Sequence, residues 1–573
     1  MHYFDGDMQG IRAYFDYRAD NRLDGFLMDD TTWNDLSGDD AFKRINQGLS
    51  TSGEQYLYYL LRSPSIERGE YEKRAKLIAV IGENPELRLK LQVILSKLGR
   101  RRAAKTCEAF KPSAHSLKKM FLYVFLLLAL VGSAISIAFT MDAFILTVGL
   151  CIFNSIFHYR EAGRISGDLA TVNYSVSMVY AAKKIKKLPF PGFEAFIAPL
   201  CESLKRLKTI SRIGFAQASN SPGDVMELLN FFLLLDLIMY ELLKNRLGRH
   251  HEDIFKIHEY LGRIDSAIAI SSYRKSLRSY AIPDIDFACG GGACMPCDIS
   301  ASGGIVSSGD NSSSCGNSLP GDNSSPGGGD ARIHYCGIGL VHPLIEDAVP
   351  NDFDTSRSVL LTGSNASGKS TFLKAVALNA IFAQAICTAL CERYSATAFR
   401  IYSSMAIADN ILAGESYFIS EIKSLKRIVT AAAPVSAAAT VSAAATISAH
   451  VSAAAAQQPL LCVIDEILRG TNTIERIAAS SELLRHLSGG SAICLAATHD
   501  IELCSLLDGC FRMFHFEETV TEDDGIMFDY TMKAGPATTR NAIKLLGIMG
   551  FDRGLVSRAN ERANKYISEG RYL

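Results

Sequence analysis

The stretch SVLLTGSNASGKSTFLKAVALNAIFAQ, residues 358–384, decides the fold of the second half of this chain. SVLLT (358–362) reads as a strand, GSNASGKST (363–371) as a glycine-rich loop, and the remainder as a helix. The loop satisfies GxxxxGK[ST] through Gly363, Gly368, Lys369 and Ser370. Glycines let the backbone wrap a phosphate with its N–H groups pointing inward, and the helix N-terminus adds its dipole. Gly363, Ser364, Asn365, Ala366, Ser367, Gly368, Lys369, Ser370 and Thr371 are therefore the expected ATP-binding residues. Lys369 is expected to neutralise the β- and γ-phosphates, and Ser370 to ligate Mg²⁺.

A hydrolysing P-loop domain needs a second strand that presents carboxylates. LLCVIDE (460–466) supplies one, ending in Asp465 and Glu466. Asp465 is expected to hold Mg²⁺ through its water shell, and Glu466 to act as general base or positioner for the attacking water. A third apolar stretch, AICLAATHD (492–500), ends in His499, placed to sense the γ-phosphate. Alternating strands and helices predict an α/β domain over residues 331–573.

Outward from this domain, 573 residues imply two to four domains. A formal net charge of −1 excludes a global basic field, so any DNA surface would be a local patch. The 14 cysteines are scattered, several in apolar runs, as expected of reduced thiols rather than a disulfide framework. The opening MHYFDGDMQG is acidic and polar, unlike a secretory signal.

Residues 1–117 read as helical. Within them, 70–98 is expected to form two helices, broken at Gly82 and Pro85. Residues 118–158 hold two apolar runs, MFLYVFLLLALVGSAISIAF (120–139) and AFILTVGLCIFNSIF (143–157). The first is long enough to span a bilayer; the second is short alone, and crosses if it tilts or recruits Tyr159. Lys97 to Lys119 precede the pair, Arg160 and Arg164 follow, and the connecting loop has no Lys or Arg. A membrane hairpin over 120–157 would then keep both termini and the ATPase domain cytoplasmic. The competing reading is a hairpin buried in a large soluble core.

Residues 159–288 read as helical, with 226–244 a core helix because Glu227, Asp236 and Glu241 interrupt it. Residues 289–330 are Gly/Ser-rich and read as a disordered insertion. Cys294 and Cys297 make a CxxC there, but the irregular spacing of Cys289 and Cys315 argues against a zinc site. A second low-complexity insertion, Ala-rich, occupies 431–458.

DEILRGTNTIER (465–476) resembles the signature that follows the Walker B strand in the MutS family of mismatch-repair ATPases. HPLIEDAVPND (342–352), ATHD (497–500) and FDYTMKAGPATTRNAIKLLGIMGFDRGLVSRANE (528–561) are similar to flanking family segments. GESYFISEIKSLKRI (414–428) resembles the family's signature helix. There Ser416 falls on the serine that, in the family, reaches the partner's γ-phosphate in trans. The resemblance thus implies a homodimer through the ATPase domain, with each nucleotide between two subunits. TWNDLSGDDAFKRINQGLSTSGEQYLYYLLRSP (32–64) resembles, more weakly, the start of the family's helical core.

The fold class that follows is α plus α/β: a helical core and lever region carrying an inserted transmembrane hairpin, then an ABC-type P-loop ATPase domain. The family's Phe-x-Glu wedge has no counterpart in residues 1–60, which counts against direct mismatch recognition. The chain looks like a shortened, membrane-associated branch. Two function classes follow. One is an ATP-gated, dimeric DNA clamp related to mismatch repair; the other is a membrane-anchored ATP switch with protein or lipid partners. KKIKK (183–187), with Lys205, Arg206 and Lys208, would touch DNA phosphates in the first, or form a solvated helix end. The cluster from Lys97 to Lys105 suits anionic lipid equally well. A transporter ATPase is disfavoured, since two spans are too few and LSGGS (487–491) follows the Walker B strand.

Overall fold

A computed structural model describes residues 8–21, 25–64, 67–101, 106–107, 117–190, 192–208, 232–287, 333–364, 367–405, 417–433, 458–521, 525–537 and 542–569. The Gly/Ser-rich insertion with its four cysteines, nearly all of the Ala-rich one, and Asn365, Ala366 and Ser416 lie outside these residues.

The first half is helical: α1 (Met8–Asp20), α2 (Asp30–Asp35), α3 (Gly38–Ile45), α4 (Thr51–Arg62), α5 (Arg68–Glu83), α6 (Pro85–Leu98), α7 (Leu117–Ser136), α8 (Asp142–Ile185), α9 (Glu194–Arg206), α10 (Leu235–Arg249) and α11 (His251–Ser276). The expected break in 70–98 falls at Asn84, because Pro85 starts a helix but cannot continue one. α11 is the central post and packs on α4, α5, α8 and α9. Gly262 permits a close approach to α4, since a Cβ there would lie 2.5 Å from the Tyr56 Cβ. Buried Asp265 accepts hydrogen bonds from the backbone N–H of Leu49 and Ser50 and from the Ser50 hydroxyl at 2.6 Å, fixing the start of α4.

The expected domain boundary at 158/159 is not a structural break. α8 runs 44 residues through it, because the chain changes from apolar to polar without a proline, and the glycines at 163 and 167 do not end the helix. Its apolar half therefore belongs to a stretch of 24 residues, Asp142–Ile165, and is not short. The hairpin is also not buried within the described fold: only 22% of the α7 window and 6% of the α8 window are inside. The described part of the 226–244 stretch is α10, which buries Leu237, Tyr240 and Leu243, as expected of a core helix.

The second half is α/β. Strand β1 (Asp284–Asp286) joins β2 (Tyr335–Leu340), β3 (Asn351–Thr355) and β5 (Arg393–Thr397) in a mixed sheet of order β1-β5-β2-β3. The main sheet contains β4 (Val359–Thr362), β6 (Arg400–Ser404), β7 (Leu460–Asp465), β8 (Ala492–Ala497), β9 (Arg512–His515) and β12 (Lys533–Ala534), in the order β12-β9-β4-β8-β7-β6. β10 (Glu518–Thr521) and β11 (Gly525–Phe528) form a separate antiparallel pair. The helices here are α12 (Lys369–Ile386), α13 (Tyr417–Ala432), α14 (Thr473–Ser488), α15 (Glu502–Leu506), α16 (Ala542–Ile548) and α17 (Arg553–Glu569).

The central strands are apolar except at the ends of β4 and β7, Thr362 and Asp465, because both faces are covered. Val359 and Leu361 face the core shared with α12 and the helical half. Leu360 faces the opposite core with Leu425 and Ile428 of α13 and Leu484 of α14. Parallel pairing of β4, β8 and β7 brings the loops after all three strands to one sheet edge, the expected place for a ligand.

Candidate nucleotide site

Gly363 and Gly368 both have positive φ, 140° and 108°. A Cβ on Gly363 would sit 2.4 Å from the Phe516 carbonyl oxygen, so only glycine fits. Lys369 opens α12 and bends back, its Nζ donating to the carbonyls of Gly363 at 2.9 Å and Ser364 at 2.6 Å. Burial pushes its ammonium down to about 8, against the pull of Glu466, Asp465 and Glu518. Ser370 and Thr371 are exposed beside it.

Asp465 closes β7, and its Oδ1 is buried with no hydrogen-bond partner among the described residues. An orphaned carboxylate oxygen at the end of β7 and an exposed hydroxyl on Ser370, at the start of α12, are oxygen donors of the kind that fit Mg²⁺. Glu466 follows in the left-handed region, with φ 54°, and Leu468 repeats this at 58°. Such strain in non-glycine residues persists only where the surroundings enforce it. Here His499 Nε2 lies 2.9 Å from Glu466 Oε1, and Arg469 pairs with the other oxygen. Burial would raise the Glu466 carboxyl. The hydrogen bond from His499, with the charges of His499, Arg469 and Lys369, outweighs it and holds the group below its ordinary value. Arg476 fixes the loop carrying His499 through two bonds to Asp500, at 2.9 and 2.6 Å.

The signature helix α13 docks on this turn. Glu421 Oε1 accepts from the N–H groups of Leu468 and Arg469. Gly470 lets Phe418 pack, since a Cβ would come within 2.9 Å of the Phe418 Cβ. From the same helix Arg427 pairs with Asp29, and donates to Thr32 Oγ1 at 3.0 Å. Asp35 of α2 accepts from Ser403 Oγ at 2.6 Å and Met405 N–H at 3.0 Å. α2 thereby ties the helical half to β6 and to the signature helix.

The fold thus brings Lys369, Ser370, Asp465, Glu466 and His499 to one edge. Beside them lies a cleft of about 460 Å³, whose far side is His342, Ile345, Val349, Asn351 and Tyr530. Asn351 anchors the C-terminal segment there, donating to the Tyr530 carbonyl and accepting from the Met532 N–H. Burial, helped by Lys374, pushes the His342 imidazole down to about 4, so it lines the cleft uncharged. These residues were not singled out by the sequence, although HPLIEDAVPND contains His342, Ile345, Val349 and Asn351.

Residues 359–439 and 436–566 match the family described as MutS domain V. Over residues 359–566 the chain is thus similar to the MutS family. It is 30% identical over 230 residues to the DNA mismatch repair protein MutS of Pseudothermotoga lettingae, covering 39% of this chain and 25% of the relative. The same-named protein of Geobacillus thermodenitrificans is 28% identical over 232 residues, 38% of this chain and 23% of the relative. DNA mismatch repair protein MutS 2 of Halobacterium salinarum is 29% identical over 230 residues, 38% and 24%. The matched region thus spans about a quarter of these MutS relatives.

The basic clusters divide. Lys183 in the last turn of α8 and Lys186 and Lys187 just beyond it are exposed. Arg206 is already held by Asp253 and Glu202, and Arg100 by Glu54 and the Gly48 carbonyl. Among the described residues, no group of three or more His, Cys, Asp or Glu could hold a metal.

Proposed function

We propose that this chain binds ATP with Mg²⁺ and hydrolyses it, as half of a dimeric site that gates a DNA clamp related to mismatch repair. The observation that carries the proposal is the orphaned Asp465 oxygen beside a P-loop lysine and a strained, paired Glu466. Asp465 and Ser370 would hold Mg²⁺, which when bound offsets charge on the β- and γ-phosphates. Lys369 would leave the Gly363 and Ser364 carbonyls for phosphate oxygens. Glu466, kept ionised, would accept a proton from the attacking water, with His499 orienting its carboxylate. The cleft lined by Ile345, Val349 and Tyr530 would take the base. Ser416 from a second copy would complete the site.

The test is ATP turnover and DNA binding by the purified full chain, titrated with matched and mismatched duplex across salt concentrations. ATP-dependent duplex binding with a steep salt slope is expected. Turnover without any duplex binding at low salt would leave only the second reading.

That second reading, a membrane-anchored ATP switch, is favoured by the exposed apolar hairpin. Phe125 is 66% exposed and Ile145 75% exposed. α7 and the first half of α8 would span the bilayer, leaving both termini and the ATPase domain in the cytoplasm.

A further inference from the structure

The helical half contains a second cleft, of about 550 Å³, between α4, α5, α9 and α11. It is remote from the P-loop sequence and lies within the range of about 300–1,000 Å³ typical of small-molecule sites. Its walls are mainly apolar, with Leu60, Leu77, Phe196, Leu200, Ile264 and Ile270. Helical interiors normally close such gaps, so the cleft leaves apolar surface that a hydrophobic body would cover.

Its charged groups are mostly cations. Lys73, Arg74, Lys76, Lys256 and Arg263 line it, against only Glu70 and Glu259. The two carboxylates are taken up by Lys73 and Arg263, at 3.0, 3.3 and 2.7 Å. Arg74, Lys76 and Lys256 remain in excess of them. Tyr260 also lines the cleft, and its hydroxyl is buried with no partner among the described residues. Apolar walls, surplus cations and an unused hydroxyl call for an anion on an apolar body.

Arg74 also touches the P-loop helix. Its Nη1 donates to the carbonyls of Gln384 at 3.1 Å and Ala385 at 2.8 Å, in the last turn of α12. A cation there complements the C-terminal end of the helix dipole, and the other end of the same helix carries Lys369 and Ser370.

We propose that this cleft binds a long-chain monocarboxylate, and that occupancy is felt at the P-loop through Arg74. The alkyl chain lies along the apolar walls. The carboxylate sits among the cations, where it competes with the α12 carbonyls for the Arg74 guanidinium. Drawing Arg74 away loosens the end of α12 and slows turnover. The coupling rests on the ATPase reading; the binding does not.

Binding is measured without nucleotide, on the full chain in phosphatidylcholine nanodiscs, as displacement of a fluorescent fatty acid by oleate. Oleate is expected to displace the probe, and uncharged oleyl alcohol to do so at least about ten-fold more weakly. Reversing the exposed rim in K76E/K256E is expected to weaken oleate by about ten-fold or more. Ala195→Trp, at an exposed position of the lining, is expected to block entry. An unchanged unfolding midpoint in these surface variants shows that they fold. No displacement, or equal binding of alcohol and acid with no effect of rim reversal, overturns the site. In the second arm, oleate is expected to lower ATP turnover of the unmodified chain and not of Arg74→Gln. Turnover indifferent to bound oleate overturns the coupling. Absence of turnover in every sample defeats the ATPase reading and leaves the binding result standing.

Discussion

Glu466 is held in a backbone conformation that a glutamate rarely adopts, and its two oxygens are claimed by His499 and Arg469. Such a carboxylate is positioned and charged before any substrate arrives. Glu466→Gln keeps the shape and removes the proton acceptor. Turnover should fall by about 10²–10⁴-fold, with nucleotide binding retained; phosphate release and equilibrium nucleotide binding separate the two. Lys369 yields a pH dependence. Its ammonium is lowered from 10.5 to about 8 by burial in the free site, and phosphate oxygens would raise it again. Nucleotide binding therefore takes up a proton above that value, so affinity should be flat below pH of about 8 and fall above it. The unfolded chain keeps this proton longer, so the same group costs the free protein stability below about 8, and the cost is relieved as pH rises toward 10.5. Affinities measured through that window decide it; a flat curve rejects the role. The P-loop and Walker B residues were legible in the sequence because their geometry is local: strand, turn, helix, with fixed spacing. Tyr530 was not, since its pairing with Asn351 joins residues 179 apart with no periodic sign in either segment.

At the scale of elements, the P-loop helix is clamped at its far end as well as at its phosphate end. Arg274, at the end of α11, donates from Nε to Thr388 Oγ1 at 2.8 Å and from Nη2 to the Cys387 carbonyl. Helix C-termini leave carbonyls unpaired, and burial makes them costly. Arg274→Ala should destabilise the chain by about 1–3 kcal/mol, read as a lower denaturant midpoint. Arg278→Ala is the control: its pair with Asp347 is 86% and 83% exposed, and its loss should be close to neutral. Helix breaks were legible where Pro85 imposes one. The continuity of α8 was not, because a change from apolar to polar composition mimics a domain boundary even where no proline accompanies it. The link of Arg427 to Asp29 was equally hidden, although Arg427 lies in a segment that resembles the family and Asp29 just ahead of another.

For the whole molecule, the hairpin is the feature that the rest of the fold does not explain. Each large apolar side chain left in water forgoes about 1.5–3 kcal/mol of burial, and the outward faces of α7 and α8 carry many, Phe121, Leu128 and Ile152 among them. A bilayer removes that penalty without asking anything of the ATPase domain. The two ends of the hairpin lie side by side: Lys119 is 3.5 Å from Glu161, and the rings of Tyr123 and Phe157 are 5.9 Å apart. A short Gly/Ser linker can therefore replace 118–158 while the remainder of α8 stays packed on α6, α9, α10 and α11. The intact chain should sediment with membranes and need detergent for release, and the linker variant should stay in the supernatant with its nucleotide affinity unchanged. An intact chain soluble without detergent would remove the anchor and return the hairpin to the role of a protein-binding face. A soluble variant that still turns over ATP would show that the nucleotide site is independent of the membrane, and would permit the DNA titration in free solution. The two function classes are separated in that experiment: duplex binding that survives deletion of the hairpin belongs to the clamp, and its absence leaves the switch.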